Sequence, residues 1–128
     1  MSGEELRRCC IYNEVDSLKE YLLLRSNPCS TDEYGLSPLH YAIWNGNIDC
    51  AKYLIMNPNG ITKEKERKSC INLQSTMGYT PLHLLALECP LHAIRDILFS
   101  LLLNGADPKV KDFNHQNAIQ LAKDMKNE

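Results

Sequence analysis

Apolar residues recur along this chain at helical spacing, in short runs separated by turn residues. Leu39, Ala42 and Ile43 form one such stripe behind Ser37-Pro38. A serine there accepts a free N–H of the first turn, and a proline at the first helical position loses no bond. The stripe predicts a short helix that stops at Gly46, where glycine takes the left-handed conformation without strain. A second helix is predicted over about Ile48 to Met56, with Ala51, Leu54 and Ile55 inward. Thr80-Pro81 opens a similar stripe further on. No helix of this length is stable alone, so stacked neighbours must bury one another's faces.

The pattern is periodic. Moved back by 33 positions, Leu39 falls on Leu6, Ala42 on Cys9, Ile43 on Cys10, Gly46 on Asn13 and Asp49 on Asp16. Moved forward by 43, GLSPLH (35–40) returns as GYTPLH (78–83), and a further shift of 37 sets DFNHQNAIQLA (112–122) on the same frame. The second unit therefore carries about ten extra residues and the third about four. Four residues amount to about one helical turn, which predicts a lengthened helix over roughly Leu91 to Leu103. The ten fall within NPNGITKEKERKSC, where Pro58 and Asn59-Gly60 break the helix and the charges from Lys63 to Lys68 alternate in sign. That segment reads as an exposed excursion outside the stack.

Three stretches carry a resemblance. They are Asp32-Glu33-Tyr34-Gly35-Leu36-Ser37-Pro38-Leu39-His40-Tyr41-Ala42, Gly78-Tyr79-Thr80-Pro81-Leu82-His83, and Gly105-Ala106-Asp107. Together they resemble the ankyrin-repeat pattern, over roughly residues 4–125. The resemblance implies an all-α solenoid of about 3.5–4 stacked helix-turn-helix units, forming a single domain over 1–128. The units run approximately 4–31, 32–73 with an insertion near 58–70, 74–111, and 112–128 as a partial cap. The first and last lack the Thr-Pro-Leu-His box, as the capping units of a stack commonly do. For His40 and His83 the resemblance implies a structural role, with each imidazole bonded to backbone and to the capping hydroxyl.

The resemblance also implies a partner protein bound in a concave groove, lined by the hairpin tips and the outward positions of each first helix. Carried over by position, those slots are Ile11 and Tyr12 in the first unit and Glu33, Tyr34, Leu36, Trp44 and Asn45 in the second. In the third they are Thr76, Met77, Tyr79, Leu87 and Glu88, and in the fourth Phe113 and Asn114. Helical spacing supports Trp44 independently. It lies two positions past Ala42 and five past Leu39, so it points away from the buried stripe.

Composition narrows the reading further. The net charge of -2 over 128 residues gives no general affinity for nucleic acid or acidic membranes. The start, MSGEELRRCC, holds no apolar run for a secretory signal, and Ile97 to Leu103 is far too short to span a bilayer. Without a secretion signal, the six cysteines are expected as free thiols in a reducing compartment. Cys9 and Cys50 occupy buried helix slots; Cys29, Cys70 and Cys89 fall in turns and are expected to be more exposed. No Cys-x-x-Cys pair, His-Glu-x-x-His, Gly-x-Ser-x-Gly elbow or phosphate-cradling loop is present. No catalytic residue, metal or cofactor is therefore expected. His92 and His115 read as solvent-facing residues at non-repeating positions.

The expected protein is a monomeric adaptor or inhibitor of one or more partner proteins, cytoplasmic or nuclear as well. The competing reading is a regulatory factor that meets nucleic acid, or another acidic partner, through Lys63–Lys68.

Overall fold

The computed structural model describes residues 3–24, 27–56 and 69–126. These residues hold seven helices with defined limits, a further helical stretch over 69–71, and no strand. The seven are α1 (Glu4–Tyr12), α2 (Val15–Leu23), α3 (Pro38–Trp44), α4 (Ile48–Met56), α5 (Pro81–Leu87), α6 (Leu91–Leu103) and α7 (Ala118–Lys126). Consecutive helices pair as α1–α2, α3–α4 and α5–α6, and the pairs stack in two rows. The first row is α1, α3, α5 and α7; the second is α2, α4 and α6. The core runs between the rows through Leu6, Leu18, Ala42, Ile43, Ala51, Ile55, Ile71, Ala93, Ile97 and Leu101. This is the all-α solenoid that the repeat implied, with α4 and α6 at their expected limits. The Lys63–Lys68 excursion lies outside the described residues.

The two boxes fold alike. Ser37 Oγ caps α3 by accepting the His40 N–H at 3.4 Å, and Thr80 Oγ1 accepts the His83 N–H at 3.3 Å. In return the imidazole Nδ1 accepts the cap residue's own N–H, at 3.1 Å in both units. Accepting at Nδ1 leaves the proton on Nε2. That nitrogen donates to the next unit: His40 to the Tyr79 carbonyl and His83 to the Gln116 carbonyl, each at 2.9 Å. Each histidine thus ties its own helix start to the following tip, as the resemblance implied. Burial holds the His40 imidazole down to about 4.

Other side chains repeat the cross-links. Asn47 Nδ2 donates to the Cys10 and Ile11 carbonyls of the first unit. Asn72 donates to the Gly105 carbonyl and accepts the Asp107 N–H, at 3.0 and 2.8 Å. The left-handed position that ends α1 is Asn13 (φ 56), and Gly46 (φ 67) has the same role after α3. Asparagine and glycine are the residues that tolerate this conformation best.

Two cysteine expectations are corrected. Cys29 and Cys70 are joined as a disulfide, with Cα atoms 5.2 Å apart, and Cys9, Cys10, Cys50 and Cys89 are free. Cys29 lies in a turn and Cys70 in the short helical stretch over 69–71, which stacking sets side by side. Their 41-residue separation gave no spacing signature. The bond also fastens the far end of the excursion to the stack, and Ile71 beside it is buried. Residues 69–70 therefore do not lie free of the stack. Cys89 is buried too, and burial pushes its thiol up to about 11.

Two measurements check these features. Alkylation of the unfolded chain should label four cysteines without reductant and six with it; six in both cases would disprove the bond. Closing a loop of this length is worth up to about 4 kcal/mol, which reduction should remove. The second concerns pH. The unfolded His40 binds a proton near the usual pH of about 6.5, while the folded one resists until about 4. Stability from this group is therefore whole above pH 6.5 and falls by about 3 kcal/mol as pH drops to 4. An NMR titration should show the His40 ring neutral at pH 5.

Candidate protein-binding groove

Each hairpin tip is built on one short polar side chain. Asp32 Oδ1 accepts the Tyr34 and Leu36 N–H groups at 2.9 and 3.0 Å. Ser75 Oγ accepts those of Met77 and Tyr79 at 3.3 and 3.2 Å. Asp112 Oδ1 accepts those of Asn114 and Gln116 at 2.8 and 3.0 Å. The tips then join one another, with Thr76 N donating to the Tyr34 carbonyl and Phe113 N to that of Met77. Gly35 and Gly78 make this closeness possible. A Cβ on either would sit 2.7 or 2.6 Å from the next tip's backbone nitrogen, and both residues have positive φ. His115 (φ 64) holds the same slot in the last tip. It is exposed, as expected, but its position does repeat, which corrects the reading above.

Between the second and third units the tips and the first-row helices frame an open trough of about 610 Å³. Its walls are Tyr34, Leu36, Tyr41, Trp44, Ser75, Thr76, Met77, Tyr79, Leu84, Leu87 and Glu88. Leu36, Ser75 and Leu84 are buried and form its floor, while Tyr34, Trp44 and Met77 stay substantially exposed. Trp44 is 43% exposed and lies parallel to the Tyr41 ring, 7° apart in plane with centroids at 6.3 Å. Tyr41 is itself anchored by its hydroxyl, which donates to Asp32 Oδ2. Burial pushes that hydroxyl up to about 12, and the Asp32 carboxylate adds to the effect. Burial alone would raise the Asp32 carboxyl; the Tyr41 hydroxyl and the Leu36 and Tyr34 amides outweigh it and hold it below its usual value.

Eight of the fourteen expected groove positions line this trough: Tyr34, Leu36, Trp44, Thr76, Met77, Tyr79, Leu87 and Glu88. Ile11, Tyr12, Glu33, Asn45, Phe113 and Asn114 are exposed but do not line it. Asn45 turns its amide back to the Tyr41 carbonyl, at 2.8 Å. Phe113 lies over Gly78, where a Cβ would meet its ring at 2.7 Å. Tyr41 and Leu84 were missed, although both were within reach of the repeat. Tyr41 precedes Trp44 by one helical turn, and Leu84 follows it by the same 43-residue shift. A second apolar hollow, of about 480 Å³, was not foreseen at all. It is framed by Ile94, Leu98 and Leu102 of α6 with Ile119 and Ala122 of α7.

Two stacked rows of short helices, joined by tips that pack edge to edge, define a repeat solenoid with a concave face. A family model for ankyrin repeats in three copies matches residues 6–112. The chain belongs to the ankyrin-repeat family, a class of non-catalytic protein-interaction modules. No curated protein matches it. Among solved structures it is similar to the chaperone Yar1, in the crystal structure of the yeast ribosomal protein Rps3 in complex with that chaperone. The TM-score is 0.80 at 21% identity, over 97% of this chain and 86% of the other. Among the described residues no helix is long and apolar enough to cross a membrane.

The tip carboxylates differ in one respect. Asp32 Oδ2 has the Tyr41 hydroxyl, whereas Asp112 Oδ2 is buried with no hydrogen-bond partner. Leu121 stands where the repeat would place that tyrosine. Ser75 shows that one hydroxyl suffices for the two turn bonds. Asp112→Ser is therefore expected to leave stability unchanged or raise it by about 1 kcal/mol, by removing the orphaned oxygen. Asp32→Ser should cost about 1 kcal/mol or more, through loss of the Tyr41 bond. Equal effects in urea titration would refute the distinction.

Proposed function

We propose that this protein is an adaptor or inhibitor that binds a partner protein in the trough between its second and third units. The observation that carries the reading is the trough itself. One continuous surface gathers Trp44, Tyr41, Tyr34, Tyr79 and Met77 from two units, and much of it stays open to solvent. Aromatic residues held at the centre of a concave face are the usual anchors of an interface. The solved relative was crystallised as one half of a protein complex, which supports the same use of this fold. The binding unit acts as a monomer and carries out no catalysis. Its repeats run approximately 4–31, 32–73, 74–111 and 112–128. The proposed location is the cytoplasm, or the nucleus as well. There the four free cysteines would persist and the Cys29–Cys70 pair would be open to reduction.

The test separates scaffold from site. A photo-crosslinking residue at Met77 should capture a partner in native lysate, and one at Glu20 on α2 should not. Trp44→Ala should leave the melting temperature within a few degrees and weaken that partner's binding by about 2 kcal/mol. His40→Ala should lower stability by roughly 1–3 kcal/mol through its broken internal bonds. It should reduce binding only in proportion to the folded fraction lost. Capture that is equal from α2, or a Trp44→Ala chain that unfolds, would remove the trough from the reading.

A further inference from the structure

Charge around the trough is one-sided. Among the described residues its lining holds one carboxylate, Glu88, and no lysine, arginine or histidine. Glu33 stands exposed at the adjoining tip, and Asp32 lies behind Tyr41. Arg7, whose charge helps to hold the Asp32 carboxyl down, points its guanidinium at the Ser30 carbonyl, 3.4 Å away. His40 is buried beneath the floor and neutral. Among the described residues no cation is seated over the rings of the trough. The cation–π contact present among the described residues, Lys19 Nζ 5.3 Å from the Tyr53 centroid, belongs to the second row. Trp44 has Tyr41 against it and remains 43% exposed.

Resting on the trough being the binding site, we infer that the partner presents a cationic side chain, an arginine or lysine flanked by apolar residues. The electron-rich faces of Trp44 and the neighbouring tyrosines attract such a group, and desolvation in a concave site strengthens the attraction. Glu88 supplies the countercharge. Apolar flanks then cover Leu36, Leu84 and Leu87. An acidic segment would set its charge against Glu88, Glu33 and Asp32 with no cation in the lining to receive it. A purely apolar segment would leave Glu88 without a countercharge.

The chain's only tryptophan lies in the trough, so its fluorescence reports occupancy directly. Short random peptides are displayed, selected on the full chain and counter-selected on Trp44→Ala. The selected peptides should shift the Trp44 emission and carry arginine or lysine beside apolar residues. Changing that cation to glutamine should weaken binding about tenfold. Glu88→Gln should weaken it severalfold with an unchanged melting temperature. Peptides that shift the emission but are indifferent to both changes would overturn the cationic partner and leave the trough standing. Failure to select any peptide that needs Trp44 would overturn the trough and the cationic partner together.

Discussion

The stack depends on a hydrogen bond that leaves its own repeat. A helix of seven residues satisfies few of its backbone groups internally and is far below the length that is stable in water. In both boxes the histidine settles three polar groups at once: the cap residue's N–H, its hydroxyl, and a carbonyl of the next tip. Only a neutral imidazole with its proton on Nε2 can do this, since Nδ1 must accept while Nε2 donates. In His40, burial enforces that state by disfavouring the charged ring. Proline, cap and histidine are thus one device, and each copy fixes the distance from its helix to the following tip.

Fixing that distance creates the trough. With the tips joined through Thr76 to Tyr34 and Phe113 to Met77, the floor residues have no freedom to fill the gap above them. The aromatic residues stand on this floor, held by packing and by single bonds such as Tyr41 to Asp32. Trp44 can therefore be altered without touching the histidine device, although the two residues sit one turn apart on the same helix. Fold and surface share α3: His40, bonded to the next tip, is buried, while Trp44, one turn on, stays 43% exposed.

Much of this was legible because the repeat supplies internal controls. The caps, the role of His40 and His83, the outward aim of Trp44 and the limits of α4 and α6 all follow from spacing that occurs more than once. What escaped was unrepeated. The Cys29–Cys70 bond joins neighbouring units across an insertion that breaks the period, so no shift aligns the two residues. The second apolar face of α6 arises from the third unit's own extra turn, which exposes Leu91, Phe99 and Leu103. Glu33, Asn45 and Phe113 hold the expected slots but do not line the trough. A slot fixes the backbone, while the side chain's direction depends on whichever local bond or neighbouring glycine is at hand.

The same economy shapes what the trough can recognise. Several polar atoms near its floor are already engaged: the Ser75 hydroxyl in its turn, the Tyr41 hydroxyl by Asp32, the Tyr79 carbonyl by His40. These groups are closed to a partner's backbone. Shape, ring faces and the carboxylate at the rim then weigh more in discrimination. Of these, only the carboxylate and the ring faces distinguish the sign of a partner's charge, and both favour a cation. A surface whose hydrogen bonds are consumed by its own scaffold is selective mainly through charge and fit. In this chain, the histidine device that makes the repeats stack thereby also limits the chemistry that the groove can use.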